Sequence, residues 1–243
     1  MDMTDITKKQ EQYKSLGFAV IEDIFDNEEI EVILNEITSA NTDNPAFRIS
    51  NDVFAIRQFF KLIPGTIPYV FSPKMKALVS NMFGEDYFVV KSIYFDKPEK
   101  SNWFVAYHQD LTISVESKLN VNGFGPWTVK QDQYAVQPPL SILENNFTIR
   151  VHLDDTDDEN GALRVIPGSH KKGVIRAAVD GKDEVFCPVK NGAVMFMSPL
   201  LLHASNRTLV NKKRRVIHIE FSNQQLPEGL KWSECLNYNV GPE

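Results

Sequence analysis

Cysteine is scarce: the two present, Cys187 and Cys235, stand far apart with no CxxC spacing, so neither a zinc ribbon nor a disulfide scaffold fits. Long apolar runs are missing as well. None approaches the length of a membrane span, and the polar opening MDMTDITKKQEQ has no apolar signal-peptide core, so the expected location is cytoplasmic, with no membrane partner. An excess of positive charge is also absent. A formal net charge of −6 argues against nucleic acid or an anionic membrane as partner, because phosphate attraction needs clustered Lys and Arg. Small molecules are the expected partners. No repeat of 20–50 residues and no low-complexity linker interrupts the chain. What is present is an ordinary globular balance, 42% hydrophobic and 24% charged, over 243 residues, a length that suits one β-rich domain.

The first third reads as helices around short strands. From Asp26, DNEEIEVILNEI combines an N-cap residue, acidic first-turn residues and apolar Ile30, Ile33, Leu34 and Ile37 at helical spacing. A second helix is signalled by Ser72 as N-cap, Pro73 at the first helical position, Leu78, Val79 and Met82, and Gly84 beyond its end. After Gly84 β-branched and aromatic runs take over, at 87–95, 103–107, 147–153, 162–166, 193–197 and 216–221. Asp180-Gly181 and Asn191-Gly192 are tight-turn pairs and predict two hairpins. The stretch 112–146 reads as one long irregular loop, either a functional lid or a surface excursion. The expected fold is mainly β with flanking helices: a jelly-roll, or double-stranded β-helix, core of the cupin-like kind with an N-terminal helical buttress. One domain over 1–243 is expected, with buttress and first strands at 1–85, the β-helix core at 86–222 and a tail at 223–243.

Five histidines occur, and two of them head an H-x-D triplet: His108-Gln109-Asp110 and His152-Leu153-Asp154. On a strand, residues i and i+2 share a face, so both side chains of such a triplet can reach one ion. Two imidazoles and a carboxylate on one face of an octahedral ion leave three positions open, the arrangement of non-haem Fe(II) oxygenases. A third, distant His is then required. Alone the triplet is weak evidence, since average composition yields one in roughly one chain in four of this length. The distal segment LLHASNRTLVNKKRRVIHIEF supplies more: His203, then Arg214 and Arg215 heading a β-patterned run. A guanidinium there can clamp a carboxylate bidentately, and strand alternation lets only one of the two arginines point inward.

These segments resemble the phytanoyl-CoA dioxygenase family. The similarity extends to LDDTDDENGALRVIPGSHKKG at 153–173 and YKSLGFAVIEDIFDNEEI at 13–30, and so covers most of the chain. The resemblance implies Fe(II) held by His108, Asp110 and His203, with 2-oxoglutarate held by Arg214. Ser205 is either a further contact to that carboxylate or a plain loop hydroxyl. It also implies an oxidoreductase that uses O2 and releases succinate and CO2 while hydroxylating a metabolite. Halogenases of this kind have a small residue in place of the carboxylate, so Asp110 favours hydroxylation. His152 and Asp154 are either the ligands in place of His108 and Asp110 or, as the resembling pattern has it, fall after the metal site with His152 a buried histidine; His170 orders the PGSH turn rather than meeting a metal.

On the substrate side the candidates are Arg150, Trp127, Lys130, Gln137, Arg57 and His218. Lys91 is a candidate for substrate or 2-oxoglutarate. A buried arginine needs an anionic partner, so Arg150 meets either a substrate carboxylate or a structural Asp. Many members carry an aromatic residue there. Trp127 and Lys130 can close over a ligand from the long loop, or be a half-buried tryptophan beside a solvated lysine. His218 shares a face with Arg214 and either lines the pocket or packs in the core. The expected substrate is a small polar or anionic metabolite. The competing reading is a cupin-like metal-binding protein without oxygenase chemistry, a ligand sensor or isomerase, which needs the metal but not Arg214.

Overall fold

The structure is a computed structural model and describes residues 3–40, 47–49, 54–97, 99, 104–130, 133–208, 210–227 and 229–239. The N-terminal part holds helix α1 (Met3–Leu16), strand β1 (Phe18–Ile21), helix α2 (Asn27–Ser39), strands β2 (Phe47–Ile49) and β3 (Phe54–Arg57), short helices α3 (Phe59–Leu62) and α4 (Ile67–Val70), and helix α5 (Pro73–Phe83). There follow β4 (Phe88–Lys97), β5 (Val105–His108), β6 (Ile113–Val115), β7 (Trp127–Lys130), β8 (Gln133–Val136), helix α6 (Leu140–Asn145) and β9 (Phe147–His152). The last strands are β10 (Leu163–Val165), β11 (Val185–Cys187), β12 (Val194–Met197), β13 (His203–Ser205) and β14 (Arg214–Ser222). Among the described residues no helix is long and apolar enough to cross a membrane.

A seven-stranded sheet runs β1-β12-β9-β14-β4-β3-β2 and a four-stranded sheet β11-β10-β13-β5. From β4 onward the chain moves repeatedly between them: β4, β9, β12 and β14 lie in the larger sheet, β5, β10, β11 and β13 in the smaller. This shuttling is the double-stranded β-helix that the strand pattern predicts. All pairings are antiparallel.

The helices take one face of the larger sheet because alternate residues of its strands are apolar there. Ile149 and Val151 of β9, Phe196 of β12 and Ile217, Ile219 and Phe221 of β14 join Ile30, Ile33 and Leu34 of α2 and Met75, Leu78 and Val79 of α5 in one core. Helix α2 begins where the sequence predicts, with a capping box in which Glu29 N–H donates to Asp26 at 2.8 Å and Asp26 N–H to Glu29 at 2.9 Å. Ser72 likewise accepts from Met75 N–H at the start of α5. The opposite, inward face of β9 and β14 carries Thr148, Arg150, His152, Arg214, His218 and Glu220, all buried. Polar groups so placed mark the sheet's concave side as a site.

Two expectations need correction. The stretch 112–146 is not one irregular loop: β6, β8 and β7 form a third sheet, followed by α6, over a small core containing Ile113, Val115, Val136, Ile142 and Trp232. Runs of three or four residues broken by Gly and Pro are too short to register as strands in a periodicity reading. Nor do the two turn pairs make hairpins. Gly181 and Gly192 adopt the positive φ expected of them, +70° and +77°, but β11 pairs with β10, across 166–184, while β12 pairs with β1 and β9. Turn chemistry sets a local reversal, and strand partners are chosen by burial.

Candidate metal centre

Strand β13 pairs antiparallel with β5 in a register that sets His203 directly opposite His108, with ring centroids 4.2 Å apart. Asp110 lies just past the end of β5, held by its N–H to the Pro199 carbonyl at 2.8 Å. The two imidazoles and this carboxylate offer ligand atoms that all lie within 4.8 Å of one another. Each imidazole is oriented by the carbonyl two residues back: His108 Nδ1 to Ala106 O and His203 Nδ1 to Leu201 O, both 2.9 Å. A carbonyl only accepts, so each Nδ1 carries a proton, and Nε2 is the nitrogen each ring can offer to a metal. Both Nε2 atoms face Asp110, at 3.7 Å.

Protonation states suit a cation. Burial pushes His203 down to about 4, so its imidazole is neutral near pH 7. Burial raises the Asp110 carboxyl, but His203, His218, His108 and Lys91 outweigh it and hold the group well below the usual carboxylate range. Two imidazole nitrogens and one carboxylate on one side of an ion form a facial triad, and this cluster fits it.

The cluster opens onto a cavity of about 450 Å³. Arg214, first residue of β14, reaches it as a buried guanidinium, donating to the Gly161 carbonyl and to Ser205 Oγ at 3.1 Å, with Nε unpartnered. Gly161 must be glycine: its φ is +86°, and a Cβ there would lie 2.6 Å from the Asn206 carbonyl. Arg215 faces the other way, as alternation requires, and forms a fork with Asp154 at 2.6 and 2.9 Å. Asp154 is thereby engaged, and His152 contacts Thr156 at 2.8 Å, so the second H-x-D triplet does not converge.

Arg57, Lys91, Arg150, Ser205 and His218 also line the cavity. Lys91 is there as an ion pair with Glu220 at 2.7 Å, and His218 Nε2 lies 3.2 Å from the same carboxylate. Trp127 and Gln137 do not line it. Trp127 packs into the core of the third sheet while its neighbour Thr128 faces the cavity with Gln133 and Ala135. Gln137 instead accepts from Arg176 at 3.5 Å. A one-residue difference in strand phase turns a side chain to the other face. The side chain of Lys130 lies outside the described residues.

Sequence reasoning missed two groups. Gln109, between His108 and Asp110, donates to the carbonyls of Gly173 and Leu200 at 2.8 and 2.6 Å and accepts from Ile175 N–H at 2.8 Å. No pattern in the sequence announces it. Glu220 was findable: it continues the Arg214, His218 parity along an otherwise apolar strand.

The family described as phytanoyl-CoA dioxygenase (PhyH) matches residues 13–216. No curated protein matches the chain by sequence. Among solved structures, the chain is similar to the non-heme alpha ketoglutarate dependent epimerase SnoN from nogalamycin biosynthesis, with a TM-score of 0.67, 16% identity and coverage of 94% of this chain and 92% of that one. AviO1 from Streptomyces viridochromogenes Tue57 gives a TM-score of 0.64 at 19% identity, covering 94% and 99%. HygX from Streptomyces hygroscopicus, with nickel, 2-oxoglutarate and hygromycin B bound, gives 0.63 at 17%, covering 88% and 86%. With its fold shared by these enzymes and most of its length matched, the chain belongs to the phytanoyl-CoA dioxygenase family, whose cofactors are Fe(II) and 2-oxoglutarate.

Proposed function

We propose that the protein is a 2-oxoglutarate-dependent hydroxylase of a small-molecule metabolite, working in the cytoplasm without a nucleic-acid partner. His108, Asp110 and His203 hold Fe(II), and Arg214 with Ser205 holds the far carboxylate of 2-oxoglutarate. One observation carries this reading: a facial set of two Nε2 atoms and a carboxylate shares a cavity with a buried guanidinium that has no acidic partner among the described residues. The ion, when bound, supplies dioxygen activation coupled to decarboxylation of the co-substrate to succinate and CO2. The chain's own part is to fix geometry. The Ala106 and Leu201 carbonyls aim the imidazoles, Asp110 adds the charge that keeps a divalent ion in place, and Arg214 sets the co-substrate's direction.

Asp110 supports hydroxylation over halogenation, since its carboxylate fills the position a halide would need. A sensor or isomerase of the cupin kind would use the same three ligands but has no use for Arg214. Anaerobic titration with Fe(II) and then 2-oxoglutarate separates the two readings. A visible metal-to-ligand charge-transfer band is expected in the wild type and is lost in Asp110→Ala; admission of air then yields succinate. A folded, iron-loaded protein that develops no such band is not a 2-oxoglutarate enzyme.

A further inference from the structure

Besides Arg214, two guanidiniums line the cavity, Arg57 and Arg150, and Arg150 is the more deeply buried of these two. Arg150 on β9 pairs across the sheet with His218, four residues or about 13 Å along β14 from Arg214, although the two guanidinium charges still act on each other. The Arg150 level is that of the metal cluster: the Asp110 carboxylate acts on both Arg150 and His218. Arg150 is 7% exposed, lines the cavity, and has an Nε with no partner.

Among the described residues its one hydrogen-bond contact is Nη1 with His218 Nδ1 at 3.3 Å. A guanidinium only donates, so Nδ1 is the bare nitrogen and the proton of His218 sits on Nε2, facing Glu220 at 3.2 Å. Glu220 is in turn neutralised by Lys91. No acid in this chain of contacts serves Arg150, and among the described residues none forms an ion pair with it. Asp110 is the nearby carboxylate, but its two oxygens face the two histidines across the metal position.

The charge count is then short. A divalent ion with Asp110, plus Arg150 and Arg214, sums to three positive charges, and 2-oxoglutarate brings two negative ones, to the metal and to Arg214. With Arg57, which also lines the cavity, left out of the sum, one positive charge remains at Arg150, beside the metal. A buried guanidinium without an anion is unfavourable. We infer that the substrate carries an anionic group, carboxylate or phosphate, that seats on Arg150. The inference rests on the 2-oxoglutarate reading above.

The test follows the charge-transfer band of anaerobic, Fe(II)- and 2-oxoglutarate-loaded protein while acetate and, separately, inorganic phosphate are titrated in. Either anion is expected to perturb the band and raise Tm in the wild type. In Arg150→Gln and in the bulkier Arg150→Met, anion affinity falls by about tenfold or more, while the Kd of 2-oxoglutarate stays within about twofold. A response to acetate alone marks a carboxylate substrate, and to phosphate alone a phosphorylated one. The inference is overturned if 2-oxoglutarate affinity falls with Arg150, making it a second clamp for the co-substrate. It is equally overturned if both variants respond to the anions as the wild type does, or if the wild type does not respond at all. Failure of the band to form in the wild type sinks the co-substrate reading itself, a different result.

Discussion

Arg214 is buried, pushed down to about 9 by burial and by the neighbouring Arg150 charge, and still cationic at neutral pH. Its replacement in Arg214→Ala leaves a carboxylate to be buried unpaired, which costs about 2–4 kcal/mol of 2-oxoglutarate binding. Iron affinity should hardly change, because no ligand atom moves. Titrating the charge-transfer band checks this, and unaltered co-substrate affinity would remove Arg214 from the role. His203 carries a pH prediction. Folded, it titrates at about 4; unfolded, at about 6.5. The unfolded chain takes up a proton that the folded one refuses, so stability falls as pH drops below about 6.5 and is insensitive to this group above it. Between pH 7 and 5 the loss is about 2 kcal/mol. His152, held neutral by burial and by Arg150 and Arg214, acts in the same direction. Urea midpoints of the metal-free protein at pH 7 and 5 measure the effect, and equal midpoints would contradict it. Asp110, held far down, takes up its proton below this window.

At the level of strands, the site depends on β5 and β13 keeping register, since one residue of slip would turn His203 away from His108. Gln109 guards this by tying the end of β5 to the segments around Gly173 and Leu200. Gln109→Ala should therefore lower iron affinity about 10- to 100-fold without removing a ligand, read by anaerobic Fe(II) titration. An unchanged affinity would make Gln109 a purely structural clip. The long strands and capped helices were legible because each shows its own period and its own stop signals: Asp26 and Glu29, Ser72 and Gly84, and the β-branched run of β14. Helix α1 escaped because its charged, weakly amphipathic sequence buries only Ile6. The third sheet escaped because its strands are stabilised by contacts distant in sequence, such as the Val115–Trp232 bridge.

For the whole chain, binding of Fe(II) and 2-oxoglutarate to the folded state alone must raise stability. At 100 times Kd the gain is about 2.7 kcal/mol, or about 5–10 °C in Tm for a chain of this size. Calorimetry with each ligand added in turn checks it, and no shift with either would count against the site. The amino-acid order already contained the β-helix pattern and the helices that cover it, because alternation and helical period are local properties of a segment. The grouping of His108, Asp110 and His203 with Arg214 came from the likeness to the phytanoyl-CoA dioxygenase pattern; parity by itself says only that Arg214 and Arg215 face opposite ways. Which groups surround the candidate metal position was settled only by folding. The pairing of Lys91 with Glu220, the turning away of Trp127 and the isolation of Arg150 depend on register between strands far apart in sequence. Register minimises the buried polar groups of the sheet as a unit, and no single segment encodes that sum.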